Sequence, residues 1–120
     1  MLHILENHEL PLVNINALVK TGTMYDPQDK AGVAELTAYV MRTGGTRKLS
    51  STEIDKQLDA IAASASVGMS LESAQINFSI LKENLEKGLD LLSQIITQPV
   101  FEQDKFELAI QLKKEELRRI

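Results

Sequence analysis

The sequence contains no cysteine and only two histidines, and both scarcities limit the chemistry that it can support. Without cysteine, disulfides and thiolate metal sites are excluded. The two histidines, His3 and His8, are separated by a predicted strand end and a turn, which is poor geometry for sharing one ion. A metal site in a protein normally needs three or four convergent ligands. We interpret both histidines as ordinary surface residues.

Neither strong positive charge nor a long apolar run is present. Lys and Arg number 13 against 17 Asp and Glu, for a net charge of −4, and no basic cluster is large enough to indicate nucleic acid or an anionic membrane as a partner. No apolar run reaches the roughly 20 residues of a membrane-spanning helix. The 120 residues, of which 43% are hydrophobic, suffice for one soluble domain with a modest core.

Hydrophobic alternation near the start of the chain predicts strands. From Pro11 to Lys20, apolar residues occupy every second position, which is the period of a half-buried strand. A shorter apolar run, Leu2 to Leu5, precedes it, and the polar segment Glu6–Glu9 lies between them. This arrangement predicts a β-hairpin. Its inward-facing residues are Val13, Ile15, Ala17 and Val19.

Two more alternating segments lie in the middle of the chain, on either side of the short junction Glu72-Ser73. A junction of this length predicts antiparallel pairing. The opposite face of the first segment is rich in serine and glycine, which indicates either close packing over it or a cavity beside it. The two predicted apolar faces are Ala65, Val67, Met69 and Leu71, and Ala74, Ile76, Phe78 and Ile80.

The first predicted helix, about Lys30 to Arg42, is apolar on most of its circumference, so we expect it to be buried in a core. Asp29 is placed to cap its start, and Gly44-Gly45 ends it. A Ser-x-x-Glu capping box, Ser50 to Glu53, begins a second helix.

Two further helices follow. The helix from Lys82 to Thr97 ends before Pro99, and the last helix runs from about Glu102 to Ile120 with a charged, solvated final stretch. The element order ββααββαα predicts an α+β two-layer sandwich, with an antiparallel or mixed sheet and helices packed on one face. The predicted inward stripe of the third helix is Leu85, Leu89, Leu92 and Ile96, with Gly88 and Ile95 beside them, and that of the last helix is Phe106, Ala109, Ile110 and Leu117.

The chain resembles the pitrilysin/insulinase family of zinc peptidases, to which mitochondrial processing peptidases belong. The segment Leu5–Val13 resembles the family's first hairpin, Gly32–Thr46 its core helix, and Pro99–Phe101 its Pro-x-Phe turn. The order and spacing of these pieces are more specific than any one of them. The resemblance implies a metalloprotease-like half domain of the LuxS/processing-peptidase type. It also implies that residues 1–120 are a single partial domain, the N-terminal portion of a longer one.

The zinc motif of the family, H-x-x-E-H, is absent from this core helix. Carried across, the resemblance puts Glu35 and Tyr39 at the two histidine positions and Ala38 at the position of the general base. A later glutamate completes the site in active members, and Glu115 or Glu116 stands at that position. One carboxylate would therefore match, which is too few for catalytic zinc. The resemblance implies no hydrolysis by this chain, and zinc only in a partner subunit or domain.

Several interpretations remain open. Glu35 and Tyr39 could form a polar pair, bonded to each other or to a neighbouring helix, which we favour over a metal role. By resemblance, the chain is a non-catalytic domain that forms chamber wall and substrate contacts for a zinc-bearing partner in peptide or protein processing. Alternatives are a structural or assembly module on the same fold, or a weak metallopeptidase with an unusual metal. The resemblance suits a bacterial periplasm or a mitochondrial matrix, and an uncovered sheet edge would favour self-association.

Overall fold

The computed structural model describes residues 1–120, in which three strands form one antiparallel sheet. The strands are β1 (Leu12–Lys20), β2 (Ser64–Met69) and β3 (Ser73–Leu81), in the spatial order β1-β3-β2. The central strand β3 is therefore hydrogen-bonded on both sides, antiparallel to each neighbour. The predicted strands over the alternating segments are confirmed, because a period of two residues suits a sheet with one buried face.

Four helices complete the α+β fold, as predicted. They are α1 (Val33–Thr43), α2 (Ser51–Ala60), α3 (Leu85–Thr97) and α4 (Gln103–Arg118), with short 3-10 turns at Thr23–Tyr25, Gln28–Lys30 and Lys82–Asn84. The capping box at the start of α2 is also confirmed, since the Ser50 side chain accepts from the Glu53 amide and the Glu53 carboxylate accepts from the Ser50 amide. None of the helices combines the length and hydrophobicity that a bilayer crossing requires.

The core lies between one face of the sheet and the helices α2 and α3. On β3, Ile80 is fully buried and Phe78 is 2% exposed. These side chains pack against apolar residues of the two helices and of the loop after α2 in one cluster. This layering accounts for the alternation of buried and exposed residues along β3. The helical and loop members of the cluster are Ile54, Leu58, Ile61, Leu91, Leu92 and Ile95.

The predicted first strand is absent, so the element order is βααββαα rather than ββααββαα. Residues 1–10 carry no strand, and Leu2 and Ile4 are exposed. A run as short as Leu2 to Leu5 gains little from pairing unless its side chains also reach a covered surface. Leu2, Ile4 and Leu5 reach no such surface, since they are 83%, 78% and 96% exposed.

The start of α1 differs from the prediction as well. The helix begins at Val33, and Gly32 precedes it in the left-handed conformation with φ of 97°. The cap is Asp26, not Asp29: its carboxylate accepts from the Gly32 amide at 2.9 Å and from the Ala34 amide at 3.1 Å. Asp29 lies in the 3-10 turn before the helix. An acidic side chain folded back from a preceding loop can cap a helix as well as an adjacent residue can.

Helix α1 is half buried rather than fully buried. Ala38 and Val40 are inside, whereas Val33 and Tyr39 are 41% and 45% exposed. The helix packs on β2 and α4, which leaves its remaining side to solvent. Arg42 fixes it to the sheet by donating from Nε to the Ala65 carbonyl of β2 at 2.7 Å.

The buried stripes of α3 and α4 differ in part from the prediction. On α3, Leu92, Gly88 and Ile95 are buried as expected, but Leu91 joins them, whereas Leu89 and Ile96 are 43% and 38% exposed. A Cβ at Gly88 would collide with Ile80, so the bare backbone at this position sets the face that α3 turns to the sheet. On α4 only Ala109 is fully buried, while Phe106 and Leu117 remain 38% and 58% exposed.

Candidate functional site

Glu35 and Tyr39, which the resemblance puts at the two histidine positions of the zinc motif, line a cleft between α1 and α4. Glu35 and Tyr39 lie one turn apart on α1, so their side chains share one side of the helix. The cleft has a volume of about 230 Å³. Its lining residues come only from these two helices: Glu35, Leu36, Tyr39, Ala109, Leu112, Lys113 and Glu116.

A lysine ammonium lies between two carboxylates in this cleft. Nζ of Lys113 is 2.6 Å from Oε2 of Glu35 on α1 and 3.2 Å from Oε2 of Glu116, one turn further along α4. The hydrogen bond to Glu35, and then that to Glu116, raises the pKa of Lys113 above its usual value. Glu35 is thus bonded to a neighbouring helix. This was one of the two arrangements expected for the polar residues Glu35 and Tyr39, the other being a bond between them.

Of the other two positions implied by the resemblance, the base position contributes no chemistry to the cleft, whereas the distal position does. Ala38 is 3% exposed and does not line it, so the base position holds a buried methyl group. Of the two candidates for the distal position, Glu116 lines the cleft, whereas Glu115 is exposed and does not. The face of α4 that carries Lys113 and Glu116 is the one turned towards α1, and the motif equivalence of Glu115 or Glu116 stays a prediction.

The residues of the cleft do not fit a zinc ion. Catalytic zinc is held by three side chains drawn mainly from His, Cys, Asp and Glu, with one position open to water. No group of three or more such side chains converges anywhere in the molecule. The position between Glu35 and Glu116 that would suit a cation is taken by the Lys113 ammonium, which is attached to the chain and does not exchange.

The two histidines lie away from any such cluster. His3 and His8 are both in the exposed segment before β1. The nearest acidic partner of His8 is Glu6, at 3.7 Å, with both side chains largely in solvent. Surface histidines of this kind are ordinary features of a soluble chain.

Lys113 is the one residue of the site that sequence reasoning missed. Its position within a run of charges indicated a solvated helix face. A stronger signal was available in Glu35, because a carboxylate on a largely apolar helix needs a counter-charge. Lys113, one turn before Glu116, lies close to the predicted distal position.

A second surface of interest is the outer side of the sheet, which no helix covers. Gly68 lies in it, and a Cβ added there would meet nothing within 4 Å. The predicted close packing over the serine- and glycine-rich face of β2 is therefore absent from this chain. We call this surface the open face. Its cross-strand rows are Asn14-Ser79-Ser64, Asn16-Asn77-Ser66 and Leu18-Gln75-Gly68.

The fold and the sequence both match known proteins. One solved relative, titled as a protease from Helicobacter pylori, superimposes with a TM-score of 0.78 over 90% of this chain and 26% of its own, at 21% identity. Another, titled as the inactive domain of a peptidase M16 from Pseudomonas fluorescens, gives a TM-score of 0.73 over 80% of this chain and 23% of its own, at 22% identity. At these identities the likeness concerns the fold alone.

Among curated proteins, the non-peptidase homolog YmxG of Helicobacter pylori is 31% identical over 85% of this chain. The mitochondrial-processing peptidase subunit alpha-1 of Dictyostelium discoideum is 30% identical over 82% of it. The chain spans only 23% and 15% of the lengths of these two relatives. The family model described as "Insulinase (Peptidase family M16)" matches residues 3–120. The chain therefore belongs to the insulinase family of peptidases, family M16.

Proposed function

We propose that this chain is a non-catalytic peptidase-family domain that forms chamber wall and substrate contacts for a zinc-bearing partner subunit or domain. The observation that carries the proposal is the position of Lys113. Its ammonium lies between Glu35 of α1 and Glu116 of α4, at the site where active members of the family are expected to hold their metal.

Peptide hydrolysis by a metallopeptidase needs an activated water molecule, and two conditions for that are unmet. A metal must leave a coordination position free for water, and a base must accept the proton. The cation of this cleft is an ammonium, which has no coordination position to offer. The base position is the methyl group of Ala38, which accepts no proton.

The names of the relatives support a partner of the same family. One is called a non-peptidase homolog, and two others are named as the alpha-1 and beta subunits of a mitochondrial-processing peptidase. These names support an arrangement in which one family member cleaves the substrate and a second, non-catalytic member binds beside it. Because the chain spans less than a quarter of each relative, we also propose that residues 1–120 are part of one larger domain.

The test is a reconstitution with a family member from the same genome that carries an intact H-x-x-E-H motif. Cleavage of a quenched fluorescent peptide library is measured for the chain alone, for the zinc-bearing protein alone, and for both together. We expect no cleavage by the chain alone. We expect the two proteins together to cleave faster than the zinc-bearing protein alone. A variant of that protein with glutamine at the motif glutamate is the control and should abolish cleavage by the pair.

Two results would contradict the proposal. Chelator-sensitive cleavage by the chain alone would show that it is an enzyme. A stable complex in which the partner cleaves at an unchanged rate would point instead to a structural or assembly module on the same fold.

A further inference from the structure

The two edges of the sheet differ in what reaches their backbone groups. Both β1 and β2 are edge strands, because β3 lies between them. No loop backbone bonds to residues 12–20 of β1. At β2, by contrast, Nε of Arg42 donates to the Ala65 carbonyl at 2.7 Å. Unpaired backbone groups on an edge strand are a template for a further strand, so a side chain that occupies one of them affects what can pair there.

The register of the hairpin shows that the Ala65 carbonyl lies on the outer edge of β2, the side away from β3. Hydrogen-bonded and non-bonded pairs alternate along an antiparallel ladder. The Ser70 amide donates to the Ser73 carbonyl at 2.8 Å, so these two residues form a bonded pair. Followed back along the register from there, Ala65 and Phe78 form a non-bonded pair. The N–H and C=O of Ala65 therefore point away from β3, to where a further strand would lie.

The other end of the β2 edge is covered by the loop before α1. The Thr23 amide donates to the Ser70 carbonyl at 3.0 Å, and the Met24 amide donates to the Leu71 carbonyl at 3.1 Å. This loop thus pairs with the chain just beyond the last residue of β2. Covering an edge with a loop is one of the ways in which proteins prevent strand addition.

Little of the β2 edge is left between these two contacts. The strand has six residues, and by the same alternation only Ala65, Val67 and Met69 turn their backbone groups outward. The carbonyl of Ala65 is held by Arg42. An added strand is stable only when several such groups pair in a row, so the loss of one end of this short edge matters.

A second bond holds the Arg42 side chain in place. Its Nη1 donates to Oδ1 of Asp55 on α2 at 3.1 Å, and the side chain is 21% exposed. A guanidinium is planar and presents its donors in a fixed arrangement. Arg42 can therefore bond the β2 carbonyl and the α2 carboxylate at the same time.

We propose that Arg42 closes the outer edge of β2 to strand addition. Its guanidinium occupies the Ala65 carbonyl, which an incoming strand would need as an acceptor. The inference goes beyond the proposed function and does not depend on it, because it concerns the chain alone and is measured without a zinc-bearing partner.

The test compares two substitutions that place different atoms where Nε of Arg42 lies. The side-chain nitrogen of Gln is as many bonds from Cα as Nε is in Arg, so Arg42→Gln keeps a donor at this position. Arg42→Met puts a methyl group there and donates nothing. Both variants lose the positive charge and the bond to Asp55, so the pair isolates the hydrogen bond to Ala65.

The probe is an unlabelled peptide with the sequence of Ser73–Leu81 and two added lysines at each end for solubility. This sequence pairs antiparallel with both β1 and β2 in the fold, so its alternation suits either edge. It is titrated into the isotopically labelled chain and followed by NMR. The backbone amide signals of Ala65 and Val67 report on the β2 edge, and those of Asn14 and Asn16 report on β1.

In the unmodified chain and in Arg42→Gln, we expect the Ala65 and Val67 signals to stay in place. In Arg42→Met both should shift, with an affinity at the β2 edge at least about tenfold higher than in Arg42→Gln, because no donor of the chain competes for the carbonyl. Arg42→Ala is a second variant without a donor and should behave as Arg42→Met does. The dispersion of each spectrum shows whether the variant is folded.

Two results would overturn the inference. The peptide could shift the Ala65 and Val67 signals in the unmodified chain, which would mean that the edge is open while Arg42 is in place. The variants with and without a donor could behave alike, whether both bind the peptide at β2 or neither does, which would mean that the bond from Arg42 is not what closes the edge.

Discussion

Nζ of Lys113 on α4 lies 2.6 Å from Oε2 of Glu35 on α1. The Glu35 carboxylate is thus matched by a cation that belongs to the chain itself. An ammonium on a four-carbon stem supplies positive charge and three donors, but it binds no water in an activated form. The same contact joins the two helices that frame the cleft.

Replacing Lys113 tests the electrostatic part of this relationship. Lys113→Met keeps the length of the stem and should lower the free energy of unfolding by less than about 1 kcal/mol, because the ion pairs are partly exposed. The folded chain raises the pKa of this lysine above 10.5. Its contribution is therefore complete below 10.5 and is lost as the pH rises through the folded-state pKa.

The measurement is urea unfolding of the unmodified and variant chains at a series of pH values. The difference between them should be constant from neutral pH into the alkaline range and shrink above about pH 10.5. Lys114→Met is the matched control, since Lys114 is exposed on the same helix and takes part in neither ion pair of the cleft. If the difference in the free energy of unfolding between the unmodified and Lys113→Met chains grew with pH, the stabilising role of the protonated Lys113 would be contradicted.

Zinc binding should be recoverable only when the ammonium is removed. The variant Glu35→His/Tyr39→His/Lys113→Ala would present two imidazoles and the Glu116 carboxylate to one position, which is a sufficient ligand set. We expect it to retain one zinc ion per chain after dialysis, measured by elemental analysis. With Lys113 kept, zinc affinity should be at least about tenfold lower, because the ammonium fills the position and repels the ion.

The control for zinc recovery is Glu35→His/Tyr39→His/Lys114→Ala, which changes the charge equally but leaves Lys113 in the cleft. Equal zinc affinity in this control and in the Lys113 variant would show that the ammonium does not compete for the metal position.

The cap of α1 gives a sharp comparison between two nearby aspartates. Asp26→Ala removes the acceptor for the Gly32 and Ala34 amides and should lower stability by about 1–2 kcal/mol. Asp29→Ala, the alternative cap suggested by sequence, should change stability by no more than about 0.5 kcal/mol. Chemical denaturation of both variants decides between them. Equal effects would mean that the helix start is capped in another way.

Two glycines should respond oppositely to alanine. Gly22 has φ of 152°, and a Cβ there would collide with the backbone carbonyl of Leu71. That carbonyl accepts from the Met24 amide and cannot move freely, so Gly22→Ala should cost roughly 2–3 kcal/mol. Gly68→Ala, on the open face, should be neutral or stabilise the strand by about 0.5 kcal/mol. Thermal unfolding of the two alanine variants tests this contrast. A large loss of stability in Gly68→Ala would mean that the open face is covered.

The elements that sequence alone predicts well are those with complete local signals. The strands β2 and β3 have strict alternation and a short junction, and α2 has a full capping box. Each depends on residues close together in the chain. By contrast, the strand expected at Leu2 to Leu5 depends on a neighbour to pair with, and periodicity carries no information about that neighbour.

The parts of the fold and of the site that the sequence did not predict depend on contacts between distant elements. The face that α3 buries is set by Gly88 against Ile80, and the charge partner of Glu35 comes from α4. A helical period indicates that one face is buried, but the exact face follows from packing. The family resemblance supplied the positions of Glu35 and Glu116, yet the Lys113 ammonium between them became visible only in three dimensions.

The most direct test of the central claim is the zinc content and peptidase activity of the purified chain itself. After incubation with zinc and dialysis, we expect far less than one zinc ion per chain, and no cleavage of a quenched peptide library that a chelator suppresses. One tightly retained zinc ion, lost on Glu35→Ala and accompanied by chelator-sensitive cleavage, would contradict the conclusion that Lys113 takes the place of the metal.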